Sequence, residues 1–189
     1  AALAQDKADQ TAARRGVFQT PLKTGDLDPA AVAEWVDGQA VSVKDAGKVA
    51  AELLWTQDSR QRGAYGHELG KSKKLGVRHL RIGFARALPF GAIMTLGNVR
   101  VSVLKADAAY PGDPADEAQW VPAQRMEDGH VTSDGLKERE ACALWTLPPG
   151  TQSRAVRFTH TASVAADVTG EGLYAGSLGG AYLVPERVA

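Results

Sequence analysis

From Gly38 onward the chain alternates apolar residues with polar or small ones, and this period of two constrains its fold more than any other feature. Val41-Ser42-Val43, Leu80-Arg81-Ile82-Gly83-Phe84 and Val99-Arg100-Val101-Ser102-Val103 each place their apolar side chains on one side of an extended backbone. Leu53-Leu54-Trp55 and residues 65–69, 141–147, 155–160 and 181–184 read as further strands. About eight short strands between Gly, Pro and Asp turns predict an all-β fold, an antiparallel β-sandwich of jelly-roll type. A parallel sheet would need amphipathic helices of about 10–15 residues between its strands, and none follows residue 38.

One short helix is predicted before the strands begin. Thr24-Gly25-Asp26-Leu27-Asp28-Pro29 reads as a turn, with Asp28 as cap and Pro29 at the first helical position. Residues 30–36 then supply about two turns, and Asp37-Gly38 ends them. Residues 1–16 favour helix by propensity, but Leu3 is their only large apolar side chain, so a frayed or trailing segment is expected. The organisation expected is a tail with a short helix over 1–37 and a sandwich domain over 38–189.

Composition removes several functional classes. Lys and Arg number 22, as do Asp and Glu, so neither a nucleic-acid backbone nor an acidic membrane surface meets a basic field. No stretch approaches the roughly 20 apolar residues that span a bilayer. The single Cys142 cannot form an internal disulfide, and His67, His79, His130 and His160 lack zinc-ligand spacing. The chain starts at Ala1 and stops just after a strand, which suggests a piece of a longer polypeptide or one that has lost a leader. The expected setting is a bacterial protein, periplasmic or extracellular.

Most candidate motifs have a structural explanation. Gly66-His67-Glu68-Leu69-Gly70-Lys71-Ser72 ends like a phosphate-binding loop, but Tyr65 stands where the motif needs its first glycine. Cys142 lies in an alternating strand and reads as a buried small hydrophobe. Ser177 lacks the glycine two positions before it that a hydrolase elbow requires. His67 and His160 share strand faces with apolar residues and read as hydrogen-bonded core histidines, whereas His79 and His130 read as solvated. Glu52 and Glu68 are expected on neighbouring strands, as charges on a solvated face.

Two features go further. Trp55, Asp58, Arg60, Arg62 and Tyr65 fall within eleven residues. Together they combine an aromatic platform with the planar hydrogen-bonding groups that hold sugar hydroxyls. The plain alternative is a polar hairpin with both aromatics in the core. The loop 105–119 carries Asp107, Tyr110, Asp113, Asp116 and Glu117, oxygen donors of the kind that bind Ca²⁺, although EF-hand spacing is absent. Loops of this length are often functional or ordered by their own packing. Trp120 reads as the anchor that pins its end.

The order of landmarks resembles the discoidin (coagulation factor 5/8 C-type) domain, within the galactose-binding-like jelly-roll class. The landmarks are the Trp55 strand, a strand ending Glu68-Leu69-Gly70, the Leu80–Phe84 and Val99–Val103 strands, the acidic loop to Trp120, and Arg154-Ala155-Val156-Arg157-Phe158. Residues 38–184 cover the pattern. The chain departs from it in lacking the disulfide that closes many extracellular members. It also departs in the bland, Gly-rich loop 88–98, which lacks aromatic or basic tips. The resemblance implies an eight-stranded jelly roll whose loops at one end bind a glycan or another surface, without catalysis. The expected function is therefore a non-catalytic, carbohydrate-binding-like accessory module of a larger protein, with no cofactor other than Ca²⁺. The alternatives are a docking domain that packs on a neighbouring domain or subunit, and a glycoside-active domain with an unrecognised carboxylate pair.

Overall fold

The computed structural model describes residues 22–58, 67–69, 76–97, 99–126, 142–162, 168–169, 172–173 and 177–184. Two antiparallel sheets stack face to face. The first has six strands in the order β2-β1-β4-β10-β6-β7 and the second has five in the order β3-β13-β5-β9-β8. The first sheet comprises β1 (Leu27–Val36), β2 (Gln39–Ser42), β4 (Gly76–Pro89), β6 (Arg100–Leu104), β7 (Trp120–Pro122) and β10 (Gln152–Ala162). The second comprises β3 (His67–Glu68), β5 (Ala92–Gly97), β8 (Gln124–Arg125), β9 (Cys142–Thr146) and β13 (Ser177–Val184). A short ribbon pairs β11 (Val168–Thr169) with β12 (Gly172–Leu173).

Period-two alternation puts the core between the sheets. Leu80, Ile82 and Phe84 of β4, Val101 and Val103 of β6, and Val156 and Phe158 of β10 form one wall. Ile93 of β5, Ala143 and Trp145 of β9, and Leu178, Ala181 and Leu183 of β13 form the other. Two polar groups buried on that wall satisfy each other, as the Trp145 indole donates to Thr95 Oγ1 at 2.9 Å.

Four expectations fail, each for a reason outside the local sequence. Residues 29–36 are not a helix. They belong to β1, an interior strand paired with β4 from Leu27↔Phe84 to Trp35↔His79 and interrupted by a bulge between Asp28 and Ala33. The Asp28 carboxylate accepts from the Ala30 N–H as a helix cap would, but pairing on both edges overrides the local preference. Asp37 and Gly38, read as a helix stop, form a two-residue hairpin turn with φ of 53° and 78°, the combination a type I′ turn requires.

Leu53-Leu54-Trp55 is not a strand. The α-helix of the described residues, α1 (Ala46–Leu53), ends there and buries Val49, Ala50, Leu53 and Leu54 in the core. The supposed bland loop 88–98 contains β5, the middle strand of the second sheet. Glu52 and Glu68 do not sit on neighbouring strands, because Glu52 is buried on α1 while Glu68 is exposed on β3. Residues 1–21, 127–141 with His130, and 185–189 lie outside the described residues.

The side of the sandwich between β1 and β13 is closed in two ways. Helix α1 packs against both strands, with Gly47 close to Pro29 of β1. Nearer one end, His67 Nε2 of β3 hydrogen-bonds Glu34 Oε1 of β1, joining the two sheets through a half-buried polar pair. Among the described residues, no helix is long and apolar enough to cross a membrane.

Candidate functional site

Trp55 follows α1 as its C-terminal cap. The Thr56 N–H reaches back to Ala51 O at 3.1 Å and the Trp55 N–H to Glu52 O at 3.3 Å, the bonding of a Schellman motif. Trp55 occupies the left-handed position of that motif, with φ of 52°, where glycine is the usual residue. A side chain there costs roughly 1–2 kcal/mol, so a tryptophan must be held by its contacts. The ring lies on the outer face of the second sheet, over Gly180. A Cβ at Gly180 would stand 2.3 Å from the indole nitrogen, so only glycine accommodates the ring. Tyr182 meets the indole edge to face, with centroids 3.8 Å apart.

The indole nitrogen sits against the Gly180 backbone. It is buried and has no hydrogen-bond partner among the described residues. The ring itself is only partly covered. A strained backbone thus holds a partly exposed aromatic surface.

Asp58, three residues on, is engaged elsewhere. Its Oδ1 accepts from the Thr24 N–H at 2.9 Å, and this bond holds the carboxyl below the usual carboxylate range. Gln57 N–H donates to Leu22 O at 2.8 Å, so residues 56–58 are tied to the segment entering β1. Arg60, Arg62 and Tyr65 lie outside the described residues. The structure therefore places Trp55 on a surface and Asp58 in a structural link.

The acidic loop contrasts with this. Residues 105–119 leave the far end of β6 and fold back over the outer face of the first sheet as a strap. Arg157, nearly fully buried, donates to both carboxylate oxygens of Glu117 at 3.0 and 2.8 Å, to Pro114 O at 2.8 Å and to Ser102 Oγ at 2.9 Å. That grip lowers the Glu117 pKa. Arg81 donates to Ala31 O at 3.0 Å and to Gly112 O. Tyr110 donates to Asp28 Oδ2 at 2.6 Å and lies beneath the Arg154 guanidinium, 3.9 Å from the ring centre. Burial and this bond push its phenol up to about 12.

Trp120 anchors the strap as the sequence suggests, its indole donating to Asp113 O at 2.8 Å. The carboxylates of the strap do not converge. Asp113 and Asp116 accept backbone N–H groups of Ala115 and Ala118, Asp107 is exposed in a turn, and Glu117 is held by Arg157. Among the described residues no three His, Cys, Asp or Glu side chains gather to hold a metal ion.

His79 also differs from expectation. It lies on the outer face of β4, where alternation predicts exposure, yet the strap leaves it only 3% exposed. Its Nδ1 contacts Thr159 Oγ1 at 2.8 Å, and burial beside Arg157 lowers its pKa to about 4. Neither Gly180 nor Glu34 was singled out from sequence. Gly179-Gly180 inside an alternating strand was the available signal of a close approach, whereas nothing in the sequence marked Glu34. Compared with known proteins, the chain matches no family model and none of the curated proteins.

Proposed function

We propose that this chain is a non-catalytic binding module of discoidin-like, jelly-roll type that takes a hydroxyl-rich carbohydrate at the Trp55 seat. One observation carries the reading: Trp55 is held in a left-handed cap with its ring partly exposed on the outer face of the second sheet. A sugar supplies the complement of the exposed part of the ring, a C–H face that lies on it. The strap is not the binding element, because its polar groups already bond to the sheet and to one another. Zero net charge agrees with a neutral ligand and argues against nucleic acid.

The test is a melting-temperature panel of mono- and oligosaccharides at millimolar concentration, with and without Ca²⁺. A ligand at about 100 times its Kd adds roughly 2.7 kcal/mol, seen as a rise in midpoint. The reading requires a sugar-specific rise that disappears in Trp55→Ala. A flat response across the panel overturns it.

A docking module is the second reading, supported by the outer face of the second sheet. Met94, Leu96 and Leu144 are partly exposed there and lie outside the core, and Met126 beside Leu144 is 44% exposed. A partner domain would cover that face, and Met126→Asp would weaken its association while leaving any sugar response intact.

A further inference from the structure

Among the described residues the two main sheets present four edge strands, and three of them carry proline or charge. The first sheet's edge β7 carries Pro122. The second sheet's edges are β3, with His67 and Glu68, and β8, with Arg125. Proline and charge are the ordinary devices that keep an edge from recruiting another strand. The remaining edge, β2, reads Gln39-Ala40-Val41-Ser42, with neither proline nor charge, and all four residues are exposed. Val41, at 47%, is the most exposed large hydrophobic residue of those described.

The hairpin fixes which backbone groups this edge offers. The two-residue turn at Asp37-Gly38 makes Val36↔Gln39 a hydrogen-bonded pair, and alternation makes Glu34↔Val41 the next one. Gln39 and Val41 therefore point their N–H and C=O groups at β1. Ala40 and Ser42 point theirs away from the sheet.

We infer that β2 is a self-association edge, at which two copies of this chain pair antiparallel and join their six-stranded sheets into one. The outward groups select the register. Ala40 of each copy faces Ser42 of the other in a hydrogen-bonded pair, giving four backbone hydrogen bonds, and Val41 faces Val41 across the two-fold axis. A two-fold pairing brings the same side chains from both copies to the axis, so a charged strand would repel itself and this one does not. Val41 leaves water by covering its own counterpart. A single four-residue strand makes a small interface of the transient class, so association depends on concentration.

The first measurement is sedimentation velocity on the whole chain from about 10 μM to about 1 mM, the range a small interface occupies. The expected result is a mass rising from 20.0 kDa towards twice that value. Val41→Lys, which sets two ammonium groups against each other, and Ala40→Pro, which removes an outward N–H, both hold the protein at the monomer mass. Val41→Cys in a Cys142→Ser background provides a readout of register. The non-hydrogen-bonded pair on the axis has the Cα separation a disulfide accepts, so mild oxidation links the two copies, while Gln39→Cys does not link. The inference fails if the wild-type protein stays monomeric at 1 mM. It also fails if association survives both β2 variants, or if Gln39→Cys links and Val41→Cys does not.

Discussion

The strap over the first sheet and the Trp55 seat on the second differ in what they do with their polar groups. The strap holds more of them: two buried or half-buried arginines, a phenol, an indole and a glutamate. Nearly every donor there finds an acceptor within the protein, and the result is a rigid cover over a polar sheet face. The Trp55 seat has one donor, and no described residue takes it. A segment rich in ligand-type side chains is thus structural when they satisfy one another. A single strained residue with a partly exposed ring is the better candidate for recognition.

Trp120→Ala is expected to have the largest effect on this contrast. Removing the buried anchor takes away the ring facing Arg157 and the bond to Asp113 O, and should lower stability by about 3–5 kcal/mol in denaturant unfolding. A loss below about 1 kcal/mol would mean the strap is not packed as described.

Acid comes next. His79 resists protonation when folded, with its pKa lowered from 6.5 to about 4. The groups around it are Thr159 on β10, Trp35 opposite it on β1, Arg157 and Arg100 from neighbouring strands, and Glu117 and Asp113 of the strap. Because the unfolded chain takes up the proton first, the stability from neutral His79 is present above about pH 6.5. It declines as pH falls towards about 4, by roughly 3 kcal/mol in all. Urea midpoints at pH 7 and pH 4.5 should differ less in His79→Gln than in wild type, and an equal difference would remove His79 as the cause.

At the seat, Trp55→Gly is expected to have little net effect on stability, about 1 kcal/mol either way. Glycine relieves the left-handed backbone while the ring's packing is lost. The same change should abolish any sugar response. A large stability loss together with an intact response would make Trp55 a core residue after all. Glu117→Gln should have the smallest effect, below about 1 kcal/mol, since the carboxylate is 73% exposed and only its partner is buried.

Sequence reading reached the sandwich because alternation in β4, β6 and β10 is strong and uninterrupted. It failed where a local signal competed with distant pairing. Asp28-Pro29 imitates a helix start, but Asp28 pairs with β4, and residues 33–35 beyond it pair with both β2 and β4. Leu53-Leu54-Trp55 is a short apolar run, and periodicity cannot distinguish strand from helix end over three residues. The β5 strand was hidden because apolar residues occur on both of its faces, with Ile93 and Thr95 inward and Met94 and Leu96 outward, so no alternation marks it. His79 looked solvated because its cover comes from residues 105–119, well away in sequence. Trp55 was legible as a residue type. Its cap geometry was not, because it depends on the helix that the same reading missed.

The most direct test of the central claim is to follow the indole N–H signals of the four tryptophans by NMR during titration with the sugar panel, using Trp55→Phe to assign Trp55. The account predicts that the Trp55 indole signal shifts and saturates with one sugar class. Those of Trp120 and Trp145, which already donate to Asp113 O and Thr95 Oγ1, should stay in place. A Trp55 signal that does not move at millimolar sugar, or that moves only in step with the other two, would contradict it.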